Sequence, residues 1–289
     1  MNKISVIILS LVVSGSSLFA QEKAEETTPT TAKPVNPEEG YNKNSVRPIH
    51  ESDIMYKKSI VRALDLREKQ NKPLFSTNRQ ITKLLLEAVS RGDITAYASD
   101  SLDDGKSLTR EEFNDRYKMP SQGVELSAEE KEIALANGDS SVISHGGAFN
   151  YEPRDLYQME IKEDLIFDKQ RSRMYYDIHA ITLYVPADHP ANVKGIQTVV
   201  ASFKYKELVE KLFKDNPNAI WFNPQNDQQH KNLADAFELR LFSSYIIKVS
   251  NPNDAYLVDI YGGDQKKGIM ASQWAAFELL EYEHNLWEF

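Results

Sequence analysis

A chain of 289 residues with 41% hydrophobic and 10% aromatic side chains carries enough apolar surface for one sizeable core. It has no cysteine, which excludes disulfides, thiol catalysis, thiolate-bound zinc, iron–sulfur clusters and a lipid attached to a cysteine. A net charge of −9, with no dense Lys/Arg run to offset it, repels phosphate backbones and argues against nucleic acid as a partner.

The first segment reads as a secretory signal peptide over 1–20. Lys3 gives a positive start, Ile4 to Val13 is apolar, and small residues lead to an expected cut between Ala20 and Gln21. The apolar run is shorter than the roughly 20 residues a bilayer-spanning helix needs, so no direct membrane insertion is expected. Residues 21–46 are dominated by Glu, Thr, Pro, Ala and Lys. They bury too little to offset their ordering entropy, which predicts a disordered leader. A single globular domain is expected over 47–289.

Three helices are predicted at its start. Ser52 can cap a helix reaching about Gln70, with Ile54, Ile60, Val61 and Leu64 on one side and Lys57 interrupting the stripe. Thr77 and Gln80 fit a capping box for a helix that puts Ile81, Leu84, Leu85 and Ala88 on one face and stops at Gly92. Thr109 and Glu112 repeat that pattern before a short helix through Tyr117. Ser127 and Glu130 fit a further short helix, and His145 to Gly147 a loop.

The period then changes. Tyr157, Met159, Ile161, Leu165 and Phe167 alternate, although Glu163 breaks the series. Lys169 to Ser172 can turn the chain, and Met174 to Val185 is rich in Tyr, Ile and Thr, which predicts a long antiparallel hairpin. Gln197 to Phe203 reads as a third strand and Ala219 to Phe222 as a short fourth. Helices are expected near Tyr205–Lys214 and Leu233–Phe242. Tyr245–Val249 and Tyr256–Tyr261 fit helix or strand equally, and Ala271 to Trp287 reads as a closing helix. No internal repeat is present. The fold class is therefore α+β, an antiparallel sheet with a long central hairpin packed by N-terminal and C-terminal helices.

Few motifs carry chemistry. Set against the twelve-residue calcium loop, Asp100, Asp104, Gly105 and Glu111 fall on positions one, five, six and twelve. Position three is Leu102, which cannot ligate, and the preceding segment does not read as helical; an acidic turn capping the next helix is the other reading. Six scattered histidines show no zinc-binding spacing, and no serine sits in a Gly-x-Ser-x-Gly elbow. His179, two residues after Asp177, reads as a hydrogen-bonded histidine within a sheet. No catalytic residue and no cofactor are predicted.

The closing helix is unusual in having two apolar stripes. Trp274, Phe277, Leu280 and Trp287 share one, and Ala275, Leu279, Tyr282 and Leu286 the other, with Glu278 and Glu283 between them. A surface helix needs one apolar side, so the second stripe implies a sandwiched helix or a partner. Leu279, Tyr282 and Leu286 are the candidate partner contacts.

Several blocks resemble the gliding-motility protein N family, also called GldN or PorN. They are Arg47 to Ile49, Asp53 to Met55, Ala63 to Lys69, Ile161 to Asp164, Phe167 to Gln170, Phe237 to Lys248 and Glu283 to Phe289. Leu18 to Gln21 is also similar to cleavage regions of exported Bacteroidetes proteins. The resemblance implies a periplasmic part of the type IX secretion system, held at the inner face of the outer membrane by lipoprotein K. With that lipoprotein, members form a homo-oligomeric ring that meets the periplasmic part of the motor proteins L and M. It implies no catalytic residues. Two other functions remain open from the residues alone: a periplasmic hydrolase with an unrecognised carboxylate site, and a calcium-dependent binding module.

Overall fold

The structure is a computed structural model that describes residues 40–100, 102, 106–119, 150–192 and 195–286. The expected signal peptide with Ala20 and Gln21, the leader up to residue 39, the segment holding Ser127 and His145, and the last three residues lie outside them.

Five strands form one antiparallel sheet: β1 (Ile54–Asp65), β2 (Gln158–Asp168), β3 (Arg173–Val185), β4 (Thr198–Lys204) and β7 (Tyr245–Val249), in the order β4-β3-β2-β1-β7. A two-stranded ribbon pairs β5 (Ile220–Trp221) with β6 (Lys231–Asn232). The helices are α1 (Ile81–Arg91), α2 (Arg110–Tyr117), α3, α4 (Leu233–Glu238), α5 (Leu257–Ile260) and α6 (Gln265–Asn285). In α3 an α-turn at Tyr205–Glu207 runs into a π-helical stretch at Leu208–Phe213. None of the described helices is long and apolar enough to cross a membrane.

Register explains why one sheet face is core and the other polar. Directly opposed residues share a face. Leu64, Met159, Leu183 and Ala201 form one buried row across four strands, and Ile161, Ile181 and Phe203, with the partly buried Arg62 at the end, the next. Against these rows pack Ile81, Leu84 and Leu85 of α1, Leu208, Leu212 and Phe213 of α3, and Phe237 of α4. Further along the same face, Ile60, Leu165 and Ile246 meet Ala275 and Leu279 of α6. The opposite face carries Lys57, Ser59, Lys162, Asp164, Thr182 and Ser202. That division is common where one side of an antiparallel sheet is free of the core.

The hairpin, the third strand and the two later helical stretches lie where the sequence places them. The first predicted helix does not exist. Glu51–Asp53 is one 3-10 turn, and the following residues are β1. Tyr56, Lys58, Ile60, Arg62 and Leu64 face the core side; two of these five are basic, so the alternation of a strand is masked in sequence. Pairing with both β2 and β7 then overrides the apparent helical spacing. The second helix forms, but Gln80 rather than Thr77 is its N-cap and no side-chain cap bond is made. Its end is as expected: Gly92 adopts φ 85°, a left-handed conformation that closes the helix by donating to Ala88 and Val89. At α2 the capping box is complete, with Glu112 N–H donating to Thr109 Oγ1 and Thr109 N–H to Glu112 Oε2. The ambiguous segments resolve as strand β7 and helix α5.

Residues 40–46, expected in the leader, lie against the sheet. Tyr41 bridges His50, Ser45 is buried, and its hydroxyl donates to Asp177 Oδ1 at 2.8 Å.

Candidate functional site

The most unusual surface is built by α5 and α6. Asp264 caps α6 by accepting from the Lys266 N–H. The helix seats one stripe inward, with Ala275 and Leu279 buried and the Tyr282 ring stacked on Tyr56 at 4.2 Å between centroids. Gly268 allows this approach: a Cβ there would stand 2.5 Å from Val258 Cγ2 of α5. Gly268→Ala is therefore expected to cost about 1–2 kcal/mol despite alanine's better helix propensity, readable in urea denaturation. A stabilised variant would show that α5 yields freely.

The other stripe points to solvent. Trp274 is 73% exposed, Phe277 69% and Leu280 57%. Ile269 and Met270 one turn back, and Ile260 and Tyr261 at the end of α5, extend it. Scattered exposed apolar residues are ordinary, but a run of large aromatic and aliphatic side chains on one helix face is not. Glu278 and Glu281 are exposed beside it.

The second notable group lies on the polar face of the sheet. Asp164 accepts from Ser59 Oγ at 2.5 Å and lies 2.8 Å from Lys57 Nζ, with its other contact at 2.7 Å to His179 Nε2. The remaining imidazole nitrogen of His179 contacts Asn42 Nδ2 at 3.4 Å. His179 is the extra residue of a β-bulge opposite Lys162 and Glu163, which turns its ring toward Asp164. Burial pushes the Asp164 carboxyl up, but the bonds from His179, Lys57 and Ser59 outweigh it and hold it well below the ordinary carboxylate range. Asp177, opposite Asp164 in register, is pushed up by burial against the pull of His179 and the Ser45 hydroxyl. A Ser-His-Asp triad places the imidazole between serine and carboxylate. Here the carboxylate lies between Ser59 and His179, and the bonds of Asn42 to His179 and of Ser45 to Asp177 tie residues 42–45 to the sheet.

Of the calcium-loop residues, Asp100 and Glu111 are described, and Asp104 and Gly105 are not. Asp100 Oδ2 is 3.1 Å from Lys162 Nζ, and Glu111 is exposed in the first turn of α2. Among the described residues no three His, Asp or Glu side chains cluster as a metal site.

The family profile of the gliding motility associated protein GldN matches residues 49–288. The chain belongs to the GldN family. It is thus a component of the gliding-motility and type IX secretion machinery. No curated protein matches the chain. The GldN match spans the whole sheet and reaches through α6, so the exposed helix face belongs to the family region.

Within that GldN region the candidate contacts Leu279, Tyr282 and Leu286 fall on the inward side. Leu279 belongs to the core, Tyr282 stacks on Tyr56, and Leu286 is half-buried at the helix end. The outward residues are Trp274, Phe277 and Leu280, which share the other stripe. Periodicity reveals two stripes but not which one meets the sheet. Sequence reasoning also missed the pairing of Asp164 with His179, because a bulge and a partner strand bring them together.

Proposed function

We propose that this GldN-family chain is a non-enzymatic structural subunit of the type IX secretion and gliding machinery. In this reading it acts in the periplasm, where it builds a ring with outer-membrane lipoprotein K and meets the periplasmic part of motor protein M. The observation that carries the reading is the outward face of α6. A helix with Trp274, Phe277 and Leu280 in solvent suits a molecule completed by its neighbours. Large aromatic anchors of this kind concentrate binding energy at interfaces. Repeated heterologous contacts close into a ring when the rotation per subunit closes.

The test is co-purification with lipoprotein K, followed by particle imaging. Changing Trp274, Phe277 and Leu280 together to glutamine is expected to weaken assembly by about a hundredfold or more, at about 1 kcal/mol or above per anchor. The monomer should keep its circular dichroism, since those side chains contact solvent. Leu279→Gln is the control, expected to unfold the helix from the sheet. Intact rings from the triple variant would end this reading.

A further inference from the structure

We propose that the half of β3 left unpaired by β4 is a docking site for an extended acidic segment of another polypeptide, added to the sheet as a strand. β4 pairs with β3 only from Ala180 to Val185. Among the described residues the same edge, from Met174 to Ile178, makes neither a β-bridge nor a backbone hydrogen bond to another element. What lies alongside is the segment from Asn42 to Ile49, attached through side chains: Ser45 to Asp177 and Asn42 to His179. Unpaired main-chain groups on a sheet edge are a template for another strand.

A cleft opens along this edge. Met174, Tyr175, Tyr176, Asp177 and Ile178 line it as consecutive residues. Neighbours in a strand point to opposite faces, so a cavity touching all five wraps the strand edge rather than one sheet face. One wall is Val46 to Ile49; the other is Val209 of the π-helical stretch with Phe237 of α4. Five residues of strand span about 17 Å, enough for a short peptide to pair along. In such strand addition, main-chain bonds supply affinity and flanking pockets select side chains.

Charge selects the occupant's chemistry. Arg47 and Arg171 stand at the rim with side chains 65% exposed, while the Asp168 side chain that pairs with Arg171 is buried beneath it. Arg240 lies in the wall, and its partner Glu163 is likewise buried. Glu238 is already paired with Arg47. Asp177, the other acid of the lining, accepts from the Ser45 hydroxyl, and each guanidinium spends only one or two of its five N–H donors on these carboxylates, on a protein whose net charge is −9. The chain's own leader is also acidic, but Pro29, Pro34 and Pro37 remove the N–H donors a paired strand needs.

The experiment uses the full chain without its signal peptide and a fluorescent alternating valine–glutamate decapeptide. Binding is expected to slow amide exchange within 174–178. It should weaken about tenfold or more when alternate peptide nitrogens are methylated, when lysine replaces glutamate, or with Arg171→Glu. Arg47→Gln is the second variant should Arg171→Glu disturb the β2–β3 turn, and is expected to act in the same direction. No binding, equal binding of the methylated peptide, or unchanged exchange at 174–178 overturns the proposal. So does binding that appears only after residues 21–39 are deleted, which gives the cleft to the leader.

Discussion

Arg62→Met is expected to destabilise the protein by about 3–5 kcal/mol, a large share of the 5–15 kcal/mol typical of a folded domain. Glu163 is 0% exposed on the apolar face of the sheet and opposite Ile60 in register. Its carboxylate is held from two sides: Arg62 Nε reaches Oε1 at 2.5 Å, and Arg240 places Nη1 2.7 Å from Oε2 and Nη2 3.2 Å from Oε1. Arg240 can do this because it adopts φ 53° just after α4 and lays its guanidinium 4.1 Å from the Tyr176 ring. Removing Arg62 leaves a buried charge with half its compensation. Replacing all three members by Met, Leu and Met is expected to recover most of the loss, because desolvation of the charges then disappears. Urea denaturation at neutral pH measures both. A single-variant loss below about 1 kcal/mol would mean that water reaches Glu163 in solution.

Asp164→Asn is expected to destabilise the protein at neutral pH, and Asp177→Asn is not. Asp164 has a depressed folded-state pKa, so its stabilisation is fully present above the unfolded aspartate value of about 4. It fades as pH falls below that value toward the folded one. The asparagine variant should therefore lose about 2–3 kcal/mol at pH 7, typical of hydrogen bonds to a charged group, and the gap should narrow in acid. Asp177 is raised, so folding favours its protonated form and its ionisation weakens the fold as pH rises. Asp177→Asn keeps an acceptor for the Ser45 hydroxyl and removes that ionisation, giving an unchanged or slightly higher stability at pH 7. Denaturation midpoints at neutral pH and near pH 3 decide the matter. Equal losses for Asp164→Asn at both would show that its charge contributes nothing.

Both groups sit where sequence reading was weakest. Glu163 looks like a flaw in the alternation of β2, yet it is on the core side as the period demands. Its arginine partners come from β1 and from the end of α4, one 101 and the other 77 residues away. Lys58 and Arg62 likewise hide the period of β1, so Ile54, Ile60, Val61 and Leu64 read as a helical stripe. A charged residue on a buried face makes sense only when its counter-ion is known, and that information is not local.

Much else was legible because its cause is local. The β2–β3 hairpin shows as alternation around a turn, the start of α2 as reciprocal capping, and the end of α1 as a glycine able to take positive φ. The GldN family match over residues 49–288 is likewise a property of the sequence. The two stripes of α6 were equally visible, since they depend only on a period of 3.6 residues. Which of them became core was decided by the sheet: β1 and β7 offer Tyr56, Ile60 and Ile246 to Ala275, Leu279 and Tyr282, leaving Trp274, Phe277 and Leu280 outside. The open edge of β3 is also tertiary in origin, because it exists only where β4 ends and α3 turns away. Local chemistry sets what each segment can bury, and the long-range pairing of strands determines which surface is left to meet another molecule.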